Sequence, residues 1–313
     1  MSLLKIKNPF YLKTQDIQSS EVILLRHIRT VFNELNSIAK NKSDHEFVES
    51  VRFNKTLVDT EIMNNGEKDM IRANELSRLN IKHILVSPMR RALVTCQEAL
   101  KLIEKSSQTI EPPVIEIHPY LFEKIEDSCD LIRPINENIE YFKEYSFRNK
   151  NYDVDWTNFN DITENINYYQ LLHCRNTTIN NKIIKMNKSH NYEFMIKAIN
   201  ENTIDYEDVQ CHLIEEMKKL GKQGEHIENF ESTFERIEKV NKRVNEIISN
   251  LDQSKNEKVL IIGHSMFFLT WYSEYVMKNT YDLICEDKKD VLKNCEILGV
   301  NLTNQEGRNF SSH

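Results

Sequence analysis

Short aliphatic runs, two of which lead within one or two residues to a histidine, constrain this chain more than any other feature. Glu21–Leu25 (EVILL) ends on Arg26-His27, His83–Val86 (HILV) ends on Ser87-Pro88, and Val259–Ile262 (VLII) ends on Gly263-His264. Runs of four or five apolar residues suit strands buried on both faces, which is the pattern of a mostly parallel sheet. Between them the apolar period changes to that of helices. Ala92, Leu93, Cys96, Ala99, Leu100 and Ile103 fall on one face, as do Phe234, Ile237, Val240, Val244, Ile247, Ile248 and Leu251. Met70, Ile71, Ala73, Leu76 and Leu79 recur at roughly helical spacing over Gly66–Leu79, and an apolar helical stretch follows His264 over Met266–Val276. Val114–Ile117 and Cys295–Leu302 complete the strands, and Pro88 is expected at the first helical position after the second strand. Strands alternating with helices predict a three-layer α/β/α sandwich around a mostly parallel sheet.

That rhythm fails between Asp130 and Gln223, where the sequence is dense in Asn, Tyr and charge. The expected organisation is a polar, loosely packed lead-in over 1–20 and an α/β domain built from 21–129 and 224–313. Residues 130–223 are expected to be an insertion, partly helical and acting as a mobile lid. A net charge of −7 with both signs mixed along the length gives no basic face, so a nucleic-acid partner is not expected. The first residues, MSLLKIKNPF, form neither a signal peptide nor an anchor, so no membrane partner and a cytoplasmic location are expected. Six cysteines without a CxxC pair read as reduced thiols, and no His/Cys/carboxylate spacing suggests a metal.

In an open α/β sheet, residues just past the carboxyl ends of the strands converge on one crevice, however far apart they lie in sequence. Here these are Arg26 and His27, then Arg91, then Glu123, and finally His264. Two histidines, two arginines and one carboxylate make a coherent phosphoryl-transfer set. Arginine forks neutralise phosphoryl oxygens, an imidazole attacks, and a carboxylic acid protonates the leaving oxygen. Arg90 is the alternative to Arg91, although the Ala92 that follows favours Arg91, and Glu116 and Glu126 are alternatives to Glu123. His83, His118 and His226 read as ordinary loop or surface residues.

Several of these pieces resemble one family. Arg26–Asn33 (RHIRTVFN) resembles the R-H-G-x-T-x-x-N opening of the histidine phosphatase superfamily, which includes the phosphoglycerate mutases. Asp59–Gly66 resembles its D-x-x-L-T-x-x-G run, Ser87–Thr95 its S-P-L-x-R-A-x-x-T segment, and Leu121-Phe122-Glu123 its L-x-E. Glu231-Ser232, the VLIIGHS run over Val259–Ser265, and Asn294-Cys295-Glu296 are similar to later pieces, in the family's order and over about two thirds of the chain. The resemblance implies a phosphoglycerate mutase-like fold and a metal-independent phosphomonoester hydrolase with no cofactor. It makes His27 the phosphohistidine, and Arg26, Arg91 and His264 the ligands of the phosphoryl oxygens, with Asn33 bordering the pocket. Glu123 becomes the proton donor, and the substrate a phosphorylated small molecule.

Two departures matter. The family's third residue is glycine, and here it is Ile28, which is expected either to strain the backbone or to crowd the pocket, so that wild type is slow and Ile28→Gly is faster. After Glu123 the mutases continue E-R-H-Y-G, whereas this chain reads Lys124–Asp130 (KIEDSCD), closer to the phosphatase branch. The alternatives are a mutase-type phosphotransferase, or a catalytically weak relative that binds phosphorylated ligands or a protein partner through the insertion.

Overall fold

The computed structural model describes residues 17–133, 135–159, 206–222, 228, 230–272 and 292–300. Its centre is a five-stranded sheet of β1 (Val22–Arg26), β2 (Asn80–Val86), β3 (Val114–Ile117), β6 (Glu257–Gly263) and β7 (Ile297–Val300), in the order β3-β2-β6-β1-β7. The first four are mutually parallel, and β7 runs antiparallel at the edge beside β1. A separate hairpin pairs β4 (Glu144–Phe147) with β5 (Lys150–Asp153). The helices are α1 (Val31–Asn41), α2 (His45–Arg52), α3 (Arg90–Ile103), α4 (Ile135–Tyr141), α5 (Tyr206–Lys222), α6 (Phe230–Ile248) and α7 (Ser265–Tyr272).

Alternation along the strands divides the interior in two. Ile23 and Leu25 of β1, with Leu260 and Ile262 of β6, face the apolar stripe of α3, including Ala92, Cys96, Ala99 and Ile103. Val22 and Leu24, with Val259 and Ile261, face α6 through Ile237, Val240 and Val244, and α7 through Phe267, Phe268 and Trp271. The result is the three-layer, mostly parallel α/β arrangement expected from the alternating periods.

Some local expectations need correction. Gly66–Arg78 is a 3-10 segment rather than an α-helix. With three residues per turn, Met70, Ala73, Leu76 and Leu79 share the buried face, while Ile71 falls off the stripe and is 78% exposed. Met89, not a residue before Pro88, is the N-cap of α3, so Pro88 precedes the helix instead of opening it. The lead-in is not loose throughout, since Ile17 and Ser20 are buried at its end.

The boundary expected at Asp130 does not mark the end of the core. Phe142, Tyr145, Phe147, Val154 and Phe159 pack into the α3 side of the sheet, as do Leu213, Ile214, Met217 and Leu220 on one stripe of α5. A few aromatic anchors in this polar stretch bury enough area to dock it. Residues 160–205, with the helical piece expected at Tyr192–Ile199, lie outside the described residues, as do His226 and 273–291.

Candidate active site

The carboxyl ends of β1, β2 and β6 and the segment after β3 meet at one edge of the sheet. His27 directly follows β1 and is held at its backbone from both sides: its N–H donates to the Gly263 carbonyl at 3.0 Å, and its carbonyl accepts from Asn294 Nδ2 at 2.9 Å. Its ring is buried, with Nδ1 2.7 Å from the carbonyl oxygen of Ile28. A carbonyl only accepts, so the neutral imidazole carries its proton on Nδ1 and its lone pair on Nε2. Burial, with Arg91 and Arg26 nearby, holds the His27 pKa well below the ordinary histidine value. The nucleophilic form therefore persists at neutral pH.

His264, in the turn between β6 and α7, is also buried and held neutral, by desolvation first and then by Arg91, His27 and Arg26. Its ring centroid lies 5.2 Å from that of His27, and its Nε2 is 2.7 Å from Ser87 Oγ. Ser87 Oγ accepts from the Met89 N–H at 3.3 Å, and when it donates its own proton to His264 the imidazole proton sits on Nδ1. That atom and Arg26 Nε are excluded from solvent with no protein partner among the described residues. Two unpartnered donors beside a nucleophilic nitrogen make a ready setting for an oxyanion.

A cleft of about 260 Å³ opens over this cluster, lined by Arg26, His27, Asn33, Arg91 and Glu123, with His264 behind. Arg91, at the second position of α3, is buried, its Nη1 donating to the Cys129 carbonyl at 2.7 Å and its Nη2 lying 3.4 Å from Asp130. Arg90 turns away, its guanidinium over the Tyr141 ring at 4.9 Å and near Glu61 and Glu137. Asn33 closes a capping box with Thr30 at the start of α1, each side chain accepting the other's N–H at 3.2 Å. Asp59 stays buried beneath the cleft as the acceptor for the Arg90 N–H at 2.9 Å.

Glu123 is held at the N-terminus of α7. Its Oε1 accepts from the Lys124 and Phe267 N–H groups at 2.9 Å each, and its Oε2 from Met266 N at 3.2 Å and Ser265 Oγ at 3.4 Å. Burial raises its pKa, against the opposing pull of Arg91 and those three N–H groups. The segment carrying it is fastened from outside the cleft. Arg236 Nη1 donates to the Tyr120 and Phe122 carbonyls at 2.8 and 2.9 Å, and its Nε pairs with Glu228, which in turn accepts from Ile125 N at 2.9 Å. Both charged groups are fully buried, and the guanidinium lies 3.7 Å from the Phe122 ring centroid.

Among solved structures the chain is similar to the ecdysone phosphate phosphatase, EPPase, from Bombix mori in complex with tungstate. That likeness has 13% identity, covers 89% of this chain and 87% of that chain, and has a TM-score of 0.42. It is also similar to the phosphoglycerate mutase from Bacillus anthracis str. Sterne, at 14% identity over 84% of each chain and a TM-score of 0.35. Both are histidine phosphatase superfamily members. No protein-family model and no curated protein matches the chain. Superpositions this loose carry no residue-level argument, and the chemistry of the cleft stands on its own contacts.

Those contacts overturn the expectation for Ile28. Its φ is not among the positive ones, so the backbone is not left-handed there, and Ile28 is absent from the cleft lining. The side chain is fully buried on the core side, against Gly66, where an added Cβ would fall 2.8 Å from Ile28 Cγ2. Its N–H donates to Thr95 Oγ1 at 2.9 Å, and its carbonyl orients His27. Ile28 therefore neither strains the turn nor crowds the phosphoryl site. Glu116 is committed elsewhere, to Arg243, His83 and Asn158, and Glu126 pairs with Lys124 at 2.7 Å. His118 caps the turn that leads to Glu123.

The sequence reading did not find Asp130, Ser87 or Ser265 as partners of the site. Asp130 and Ser87 lay inside motifs already quoted, but no local pattern marks which side chain turns inward. The side chains of Glu231 and Ser232 lie outside the described ones. Among the described residues, no group of three or more His, Cys, Asp or Glu could hold a metal ion, and no helix is long and apolar enough to cross a membrane.

Proposed function

We propose that the chain is a phosphomonoester hydrolase of the histidine phosphatase type, working through a phosphohistidine at His27. The observation that carries this reading is the Nδ1–H of His27 bonded to the Ile28 carbonyl, which leaves the Nε2 lone pair in a cleft shared with Arg26, Arg91 and Glu123. In the first step His27 Nε2 attacks phosphorus, the bond to the ester oxygen breaks, and protonated Glu123 gives its proton to that oxygen. Arg26, Arg91 and the His264 Nδ1–H offset the charge on the equatorial oxygens, which is why the reaction calls for no metal. In the second step water attacks the phosphohistidine, its proton passes to the Glu123 carboxylate, and inorganic phosphate leaves with His27 neutral again. The raised Glu123 pKa favours the form that begins the cycle.

Hydrolysis rather than transfer to a second substrate rests on the KIEDSCD sequence after Glu123. A small phosphorylated molecule as substrate, a cytoplasmic location, and a protein partner or lid in 130–223 belong to the same proposal. Hydrolysis of 4-nitrophenyl phosphate with EDTA present, and of labelled substrate under a base quench, tests it. Turnover abolished by His27→Ala, with label stable to base and lost in acid, is expected. Label on serine or a carboxylate, or no turnover, would remove the mechanism.

A further inference from the structure

The inner part of the cleft is accounted for by phosphoryl chemistry, but its outer wall is not. Asn33, Asn36 and Lys40 all line the cleft from α1. At 100° per residue, spacings of three and four put the three side chains on one narrow stripe of the helix. Asn33 is occupied with the capping box, and the two beyond it are not. Asn36 Oδ1 is excluded from solvent with no hydrogen-bond partner among the described residues, a state that costs an amide oxygen its water.

Lys40 is exposed, and among the described residues it makes no ion pair. Among the described residues, the acids in the lining lie against cations or N–H donors. Glu126 pairs with Lys124 at 2.7 Å, Asp127 with Arg52, and Asp130 with Arg91 at 3.4 Å. Glu123 is taken up by the N–H groups of α7. Among the described residues, two of the cations around the cleft, Arg26 and the exposed Lys40, therefore lack a carboxylate partner. From Asn33 to Lys40 the helix rises about 10 Å. One anion cannot serve both ends.

We propose that Asn36 and Lys40 form a second subsite, and that the substrate is a phosphomonoester with a second anionic group that reaches the Lys40 end of the stripe. A hydroxyl near the ester would satisfy Asn36 Oδ1. The second group is a carboxylate or a second phosphate, since both accept from an ammonium. This inference rests on the reading of the inner cleft as the phosphoryl site.

The test compares kcat/KM for hexyl phosphate, 6-phosphonooxyhexanoate and hexane-1,6-diol bisphosphate, whose flexible chains can span the stripe. Wild type is expected to prefer at least one doubly anionic probe by about two- to fivefold, the upper part of the scale of an exposed ion pair. Which probe is preferred separates carboxylate from phosphate. In Lys40→Met that ratio falls toward one, as it does for wild type at high salt. In Asn36→Ala the advantage of 2-hydroxyhexyl phosphate over hexyl phosphate disappears. A wild-type ratio near one, or a ratio that survives Lys40→Met, overturns the subsite while His27-dependent turnover of 4-nitrophenyl phosphate leaves the hydrolase reading intact. Calorimetric binding of the bisphosphate and of hexyl phosphate gives the same ratio without turnover. A binding preference lost in Lys40→Met supports the subsite even if hydrolysis fails.

Discussion

Restoring the glycine that the motif would have at position 28 is the sharpest perturbation of this fold. The Ile28 side chain is fully buried in the core, with Gly66 giving it room, and it has no place in the cleft. Truncating a buried isoleucine to alanine costs about 2–5 kcal/mol, and glycine in place of alanine about 0.5–1 more. Ile28→Gly should therefore lose roughly 3–6 kcal/mol, a large share of the ~5–15 kcal/mol that holds a typical domain together. At about 2.1 cal/mol/K per residue, 313 residues convert that to a fall in Tm of about 5–9 °C. Turnover should not rise, because the backbone carbonyl that orients His27 survives while its surroundings loosen.

Gly66→Ala approaches the same contact from the other side, placing a Cβ 2.8 Å from Ile28 Cγ2 and 3.0 Å from the Arg29 carbonyl oxygen. Removing Ile28 Cγ2 relieves the first clash and lets the new methyl fill part of the hole. Ile28→Ala with Gly66→Ala should then be more stable than the sum of the single changes by about 0.5–3 kcal/mol. Thermal or urea unfolding of wild type, Ile28→Gly and the three proteins of the Ile28→Ala, Gly66→Ala cycle, alongside 4-nitrophenyl phosphate turnover, measures both effects. Additive stabilities, or an Ile28→Gly variant that is faster and no less stable, would show that the side chain faces the phosphoryl site after all.

Further outcomes follow from the same contacts. Glu123→Gln should slow hydrolysis of alkyl phosphates by about 10²–10⁴ and that of 4-nitrophenyl phosphate much less, and an equal loss for both would exclude it as the acid. Since the His27 pKa is depressed from 6.5, kcat/KM should show no acid limb at that value, and a limb there would mean that His27 titrates as an exposed histidine. Burial and Asp127 raise the Asp130 pKa to about 8 from 3.8, so its contribution to stability is complete below pH 3.8 and is lost as pH rises through about 8. Asp130→Asn should flatten that slope in Tm against pH, and an unchanged slope would assign it elsewhere. Arg236→Met leaves Glu228 buried and unpaired, so unfolding should detect a loss of about 3–5 kcal/mol, part of which Glu228→Gln restores in the double variant.

Much of this protein was determined locally. Aliphatic runs of four or five residues suit strands buried on both faces, and residues at or beyond their carboxyl ends can converge at one edge of a parallel sheet. His27, Arg91, Glu123 and His264 were therefore legible as a group before any distance was known. The α3 and α6 faces were equally plain, because a 3.6-residue period repeated over several turns has few other readings. Side-chain direction was not encoded locally. Ile28 could be judged only once Gly66, distant in sequence, was beside it, since φ and packing rather than identity decide whether a β-branched residue strains a turn. Nor could composition reveal that residues just past Asp130 are core, because the aromatic anchors that dock them gain their energy from area supplied by α3 and the sheet. The same holds for the charges: that Arg26 and Lys40 lack a carboxylate partner among the described residues depends on which acids the fold brings within 4 Å of each basic group, and chain order does not determine that.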